Sequence, residues 1–271
     1  MKNSNKIKIR VFSKQKFIIE LTFIVLIFVT VVAVLRFNFP KTGLYKALAD
    51  FFNYAVKMFF LPKLSGMYSF KELVYSLFVT LSLAILTTTF GIVFAFFLSL
   101  GAAENISNKY FSIIIRSVMS FIRAVPTIIW VLIFSNILSI GAEAAIIGMS
   151  FHSTAYLVKG FSESFEQIDK KTIEALKACG AGYSEIITQA IIPVSINQLI
   201  SWSFFRFEIN FANAVALGAA AGAGGIGYEL FIAGSLNFNM KEVGIISYMI
   251  FIVSVILEIL SSKIRNRLRL H

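Results

Sequence analysis

Three glycines with the spacing of a nucleotide-binding loop occur in the stretch GAGGIGYEL, from Gly222 to Leu230. Gly222, Gly224 and Gly227 spell G-x-G-x-x-G, and Glu242 supplies an acidic residue further along the chain. This pattern holds a dinucleotide only where the glycines lie between a strand and a helix. Long apolar stretches flank the glycines on both sides, so no such unit fits and we expect no nucleotide site.

The sequence also lacks the residue sets of the common catalytic and metal sites. It contains no Ser/His/Asp arrangement, no paired carboxylates and no Walker A lysine, so we expect no enzyme activity and no ATP hydrolysis by this chain. Cys179 is the single cysteine, which excludes an internal disulfide and a C-x-x-C zinc pattern. His152 stands alone, and an isolated histidine is more often packed and hydrogen-bonded than bound to metal. We therefore expect neither a metal nor a cofactor.

The composition indicates a membrane protein. Hydrophobic residues make up 58% of the 271 residues and charged residues only 14%, whereas a soluble domain carries about a quarter charged residues. A bilayer core of about 30 Å requires about 20 helical residues, and six stretches reach that length. They are residues 17–35, 73–100, 113–138, 142–161, 194–217 and 243–261. The sequence predicts an all-α integral membrane protein with about six transmembrane helices, the first of them a retained anchor.

The basic residues give the expected orientation. The net charge is +11, but the basic residues cluster at the chain ends and beside apolar spans, so we expect no nucleic-acid partner. An even number of spans places both termini on one side. With cytoplasmic termini, sixteen basic residues lie inside and seven outside, some of them in the basic outer loop 36–72. The positive-inside rule therefore favours cytoplasmic termini and a multi-pass protein of the plasma or inner membrane.

The long inner loop 162–193 carries two short amphipathic patterns. Asp169 is a suitable N-cap for the first helix, and Gly180 and Gly182 are natural breaks between the two. The apolar positions are Ile173 and Leu176, with Gly180 in the same register, and then Ile186, Ile187, Ala190 and Ile191.

The same loop contains the stretch EALKACGAGYSEIITQAIIP, from Glu174 to Pro193. It resembles the EAA motif of bacterial ABC-importer permeases, with Glu174, Ala175, Gly180 and Pro193 matching in place. The resemblance implies that these residues couple the protein to a cytosolic ABC ATPase dimer, through a short helix joined rigidly to two spans. The alternative is a solvated charged hairpin between two helices.

Three further stretches resemble the permeases of phosphonate transporters, the PhnE type of binding-protein-dependent transport inner membrane component. They are RAVPTIIW (123–130), HSTAYLVKGFSESFEQID (152–169) and FRFEINFANAVALGAAAGAGGIGYEL (205–230). One departure is that Phe211, Ala212 and Asn213 stand where relatives tend to carry a basic residue after the FEIN group. Methionine permeases share the glycine-rich segment, so that segment alone does not choose a ligand.

This resemblance implies a type I ABC importer permease fold over residues 68–262. Residues 1–67 would form a cytoplasmic N-terminus, a first transmembrane helix and an outer loop, and residues 263–271 a basic cytoplasmic tail. The implied partners are an ATPase dimer, a second permease copy or paralogue, an external substrate-binding protein and membrane lipid. The implied ligand is phosphonate or a related phosphorus oxyanion. A permease for methionine or another small solute, and a non-transport membrane anchor of a complex, are the alternatives.

Several polar residues fall at membrane depth, where charge is costly and usually faces protein or water. Arg206, Asn210 and Asn213 follow at i, i+4 and i+7 and form one stripe, while Glu208 points elsewhere. We interpret the stripe as a lining of the transport pathway, with buried contacts between helices as the equal alternative. Arg123, Pro126 and Glu208 belong to the same candidate set of pathway or gate residues, and Pro126 should kink its helix.

The glycine-rich segment at the outer end of the fifth span receives a second interpretation. Gly222, Gly224, Gly225 and Gly227 suit a compact re-entrant turn that closes the outer end of the pathway, because glycine permits positive φ and close backbone approach. The alternative is a plain tight turn between two spans.

Overall fold

The computed structural model describes residues 13–36 and 43–269, and these residues form helices without any strand. The predicted basic N-terminal segment up to residue 12, part of the outer loop (37–42) and the last two residues of the tail lie outside the described residues. The described residues up to Phe52 and those from Asn53 onward form two compact units. Among the described residues that precede Gly222, the chain is helical, and the residues directly before it belong to a long helix that ends at Ala221.

Eleven α-helices and two π-turns make up the described residues. They are α1 (Lys14–Arg36), α2 (Leu44–Phe59), α3 (Phe70–Ala102), α4 (Lys109–Ala124), α5 (Thr127–Leu138), α6 (Ala142–Phe165), α7 (Lys170–Ala178), α8 (Tyr183–Ile186), a π-turn (Ile187–Ile191), α9 (Ile192–Ala221), α10 (Gly225–Phe231), a π-turn (Ile232–Leu236) and α11 (Met240–Arg269).

The helices that could cross a membrane differ in number from the six predicted spans. Three described helices, α1, α3 and α11, are long and apolar enough by themselves. The number rises to five if each of two bent pairs is counted as one span. The first pair is α4 with α5. The second pair is the segment Tyr183–Ala221, which ends with α9, and the segment Gly225–Leu236, which begins with α10. The remaining predicted span, residues 142–161, corresponds to α6. Its 24 residues have the length of a span, but they are less apolar than the other spans.

Helix α6 can be less apolar because protein surrounds it. More than half of its residues are buried, and it packs against α3, α4, α5 and α9. Small residues permit this close packing: a Cβ on Gly148 would collide with the backbone of Val131, and one on Gly160 with the ring of Trp202. Hydropathy alone therefore does not single out this helix, because other helices surround it.

The predicted single stretch 113–138 is broken. Helices α4 and α5 meet at an angle of 91°, with Val125 in extended conformation and Pro126 at the start of α5. Pro126 has no N–H to continue the helix and restricts the residue before it, so a full break replaces the predicted kink. Trp130 packs across the break, since its Nε1 donates to the Ile122 carbonyl at 2.9 Å.

The segment 36–72, the predicted outer loop, contains a helix that the sequence analysis did not predict, α2. Within the second compact unit, the end of α2 contacts α11. The Tyr248 hydroxyl donates to the Phe59 carbonyl at 2.7 Å, and Gly244 leaves room for the backbone of Met58. A buried carboxylate, Glu242, then holds the following loop by accepting from Ser65 Oγ at 2.5 Å.

Candidate functional site

The inner-loop helix α7 forms where the sequence predicts it. Asp169 caps its first turn, with the Lys171 N–H donating to Asp169 Oδ1 at 3.0 Å. Ile173 is 1% exposed and joins an apolar cluster with residues of α3, α6 and α9, including Phe165 and Leu199. The amphipathic prediction for this helix is therefore confirmed, and its apolar side attaches it to the body of the protein.

Gly180 ends the α7 segment in a turn that requires positive φ. Its φ is +91°, and the turn is closed by two backbone hydrogen bonds, from Gly180 N–H to the Lys177 carbonyl at 3.0 Å and from Ala181 N–H to the Leu176 carbonyl at 3.1 Å. This pairing is typical of a glycine-terminated helix. A Cβ at residue 180 would meet nothing within 4 Å, so the backbone angle, and not space, selects glycine.

The second predicted amphipathic helix continues into α9 instead of standing alone. Helix α8 passes through a π-turn directly into α9, and Ile186, Ile187 and Ile191 are buried as their spacing predicts. The π-turn precedes Pro193, which cannot donate a backbone hydrogen bond. The segment is thereby joined to α9 by an uninterrupted helical backbone.

The four motif residues all lie on the surface. Glu174, Ala175, Gly180 and Pro193 are exposed, while Ile173 and Ile191 nearby are buried. The loop 162–193 thus presents its motif face outward and holds its apolar face in the bundle. We call this end of the bundle the loop end.

A polar cluster that the sequence analysis missed fastens the loop end to α3 and α4. Arg116 Nε donates to the Ala102 carbonyl at 2.8 Å, and its guanidinium pairs with Glu166, and with Glu104 at 3.8 Å. The Asn105 amide donates to the carbonyls of Phe165 and Ile168. The start of the loop 162–193 is therefore bound to the turn between α3 and α4.

Two residues of the predicted stripe, Arg206 and Asn210, lie inside the bundle. Arg206 is 2% exposed, its Nε donates to Ser153 Oγ at 3.1 Å, and its guanidinium lies 5.1 Å from the centre of the Tyr156 ring. Ser153 in turn donates to Asn210 Oδ1 at 3.0 Å, and the Asn210 amide donates to Thr88 Oγ1 at 2.9 Å. The network joins α3, α6 and α9.

The other polar candidates occupy separate places. Glu208 points away from Arg206, as its spacing predicts, and forms an ion pair with Arg265 of α11 at 3.7 Å. Asn213 is half-buried, and Arg123 is half-buried at the end of α4. Arg206 and Asn210 thus make contacts between helices within one chain, and their role as a pathway lining stays a prediction.

The glycine-rich segment forms a tight turn that is packed on protein. Gly222, Gly224 and Gly225 have φ of +60°, +77° and +71°, and the segments before and after them meet at 47°. Helix α10 lies against α9 so closely that a Cβ on Gly227 would overlap the Val215 carbonyl.

Helix α3 holds the other side of this turn. The Ile226 N–H donates to Thr80 Oγ1 at 2.9 Å, and Ser76 Oγ donates to Glu229 at 3.3 Å. Burial raises the pKa of the neighbouring Tyr68 above its ordinary value, and a hydrogen bond to Glu229 raises it further.

The fold and loop agree with a known family. Residues 88–268, more than half of the chain, match the family described as binding-protein-dependent transport system inner membrane component. The chain belongs to this family. As a binding-protein-dependent transport component, it carries the loop 162–193 and the buried polar network within the matched region.

The relatives of this transport component include permeases with phosphorus-related names. The chain is 31% identical over 193 residues to the phosphate-import permease protein PhnE of Mycolicibacterium smegmatis. The matched residues make up 70% of this chain and 35% of that protein. It thus spans about a third of that relative's length. It is 28% identical over 210 residues to the phosphite transport system permease protein PtxC of Stutzerimonas stutzeri, covering 77% and 74%.

A shorter relative is matched over nearly its whole length. The chain is 32% identical over 120 residues to the putative cryptic phosphonate transport system permease protein PhnE2 of Escherichia coli, covering 44% of this chain and 97% of the relative.

Solved structures show the same fold. A chain of the MetNI methionine ABC transporter in an inward-facing conformation matches with a TM-score of 0.65 at 19% identity, covering 74% of this chain and 99% of that chain. A chain of an amino acid ABC transporter solved with histidines matches with a TM-score of 0.59 at 19% identity, covering 82% and 97%. The transport component therefore has the all-helical fold of ABC importer membrane chains.

Proposed function

We propose that this chain is the transmembrane permease subunit of an ATP-driven importer that carries phosphonate or a related phosphorus oxyanion. The observation that carries the proposal is the family match together with relatives whose names refer to phosphate, phosphite and phosphonate. The permease domain is residues 68–262, which follow a first helix and a loop. Both termini and the loop 162–193 face the cytoplasm, in keeping with the distribution of basic residues.

The loop 162–193 receives the ATP-driven motion from a separate ATPase dimer. Three features support this role: the exposed motif face of α7, the burial of Ile173, and the continuous backbone from α8 into α9. The cluster around Arg116 joins the same loop to α3 and α4. A displacement of α7 is therefore passed to α3, α4 and α9 together.

The glycine-rich turn closes the far end of the pathway. It lies between α9 and α11, two helices of the bundle, and both α3 and α9 hold it. A second permease copy and an external binding protein complete the pathway. Gly225→Val should abolish uptake while assembly with the ATPase persists, since its Cβ would overlap Thr80 Oγ1. Normal uptake by this variant would show that the turn is only a connection.

Reconstitution tests the function directly. The chain, its ATPase and its binding protein are placed in proteoliposomes, and ATP hydrolysis and uptake are measured with methylphosphonate, phosphite, phosphate and methionine. We expect stimulation by one of the phosphorus compounds. Stimulation by methionine alone would identify the alternative function, which a 27% identical relative, the methionine import system permease protein MetP of Bacillus subtilis, favours. No stimulation by any of them would contradict an importer for these solutes.

A further inference from the structure

A small basic cavity lies between α4 and α6, next to the loop end. Its volume is 210 Å³, and it is lined by Arg116, Met119, Ser120, Arg123, Val158, Lys159, Ser162 and Glu163. Three of these side chains are basic, two carry a hydroxyl and one is acidic. A guanidinium, an ammonium and hydroxyls together are the groups that bind oxyanions in proteins.

Arg123 is the basic residue of this cavity with unused hydrogen-bonding capacity. One terminal nitrogen donates to Ser120 Oγ at 3.1 Å. Its Nε is buried and has no acceptor among the described residues. A buried guanidinium N–H without a partner is costly, and the charged side chain of Arg123 on the cavity lining favours an anion there.

The other two basic residues differ in availability. Arg116 is already held by the Ala102 carbonyl, Glu166 and Glu104. Within the part of the chain that the structure describes, Lys159 pairs with Glu163 alone, at 3.8 Å, and both side chains are about half exposed. An exposed pair of this kind is weak, contributing about 0–1 kcal/mol, so Lys159 can exchange Glu163 for a doubly charged ligand.

From these contacts we propose that the cavity binds a phosphorus oxyanion between Arg123 and Lys159, with the Ser120 and Ser162 hydroxyls beside it. The choice of a phosphorus oxyanion as the ligand rests on the proposed function. The basic lining of the cavity is observed independently of that function. The oxyanion has two possible sources: the free transported solute, and the phosphate of an anionic lipid headgroup, which basic pockets between membrane helices also bind. Glu163 opposes either ligand, because its carboxylate lies on the same cavity.

The experiment uses the purified full-length chain in a phosphate-free detergent. One arm titrates methylphosphonate without lipid, and the other titrates a short-chain phosphatidylglycerol without free oxyanion, with bound molecules counted by native mass spectrometry. Arg123→Gln and Lys159→Gln should each weaken binding by roughly tenfold or more, the loss of one charge-assisted hydrogen bond. Glu163→Gln should strengthen binding severalfold. Lys263→Gln, at an exposed basic residue of α11, removes the same charge outside the cavity and should leave binding unchanged.

The four variants distinguish a site from general charge attraction. The predicted pattern in the methylphosphonate arm identifies the solute, and the same pattern only in the lipid arm identifies the headgroup. Lack of binding in both arms, or equal effects of Lys263→Gln and Arg123→Gln, overturns the proposal. Lys159 is exposed, so its variant keeps the test valid if Arg123→Gln fails to fold. Because binding is measured without the ATPase, failure here is separate from failure of the reconstituted uptake.

Discussion

The turn at Gly180 permits a quantitative test of coupling through the loop 162–193. At its φ of +91° an L-residue with a Cβ is strained by about 1–2 kcal/mol. A Cβ there meets no atom within 4 Å, so Gly180→Ala adds strain without a collision. A change of 1–2 kcal/mol alters a conformational ratio by about 5–30-fold, here the ratio of correctly turned to disordered loop.

The assay is binding-protein-stimulated ATP hydrolysis in proteoliposomes. We expect Gly180→Ala to lower the stimulated rate by about fivefold or more while the protein still inserts and remains folded. Gly182→Ala is the matched control, because Gly182 has an ordinary φ of −74° and its Cβ would come no closer than 3.7 Å to Glu185. Gly180→Asn should recover part of the rate, since asparagine tolerates positive φ better than alanine. Full activity of Gly180→Ala, or an equal loss in Gly182→Ala, would refute the reasoning.

Three further experiments test the bundle. Asn210→Ala and Thr88→Ala should show a coupling of about 0.6 kcal/mol in a double-mutant cycle of unfolding, the average for hydrogen bonds between membrane helices; purely additive effects would argue against this contact. Gly227→Ala should destabilise the protein more than Gly224→Ala in thermal unfolding, because its Cβ overlaps the α9 backbone while that of residue 224 meets nothing within 4 Å; an equal loss would contradict the packing. Arg206→Ala should reduce the yield of folded protein more than the uptake per folded molecule, and the reverse result would restore the pathway interpretation.

Local features of the sequence predicted local structure well. Asp169 caps α7, Ile173 is buried and Gly180 breaks the loop, because capping, amphipathic spacing and positive φ depend on neighbouring residues. Pro126 marked the correct position of a disruption in the third span. The size of that disruption, 91°, depends on how α5 packs against α6, which a single position does not specify.

Contacts between distant residues could not be predicted in the same way. Arg116 and Glu166 are 50 residues apart, and Asn210 and Thr88 are 122 apart, so no spacing rule connects them. The stripe of Arg206, Asn210 and Asn213 was visible, but its partners on α3 and α6 were not. Hydropathy likewise identifies residues that face lipid, and it fails for α6 because protein covers most of that helix.

The native cysteine supplies the most direct test of the central claim, that the loop 162–193 docks on a cytoplasmic ATPase. Cys179 is the single cysteine of the chain, and it is exposed at the end of α7 beside Gly180. A membrane-impermeant maleimide should label it in inverted membrane vesicles and leave it unlabelled in intact cells. Addition of the purified ATPase to vesicles that hold the permease alone should slow the labelling at least severalfold. Labelling in intact cells, or an unchanged rate with a bound ATPase, would contradict the account.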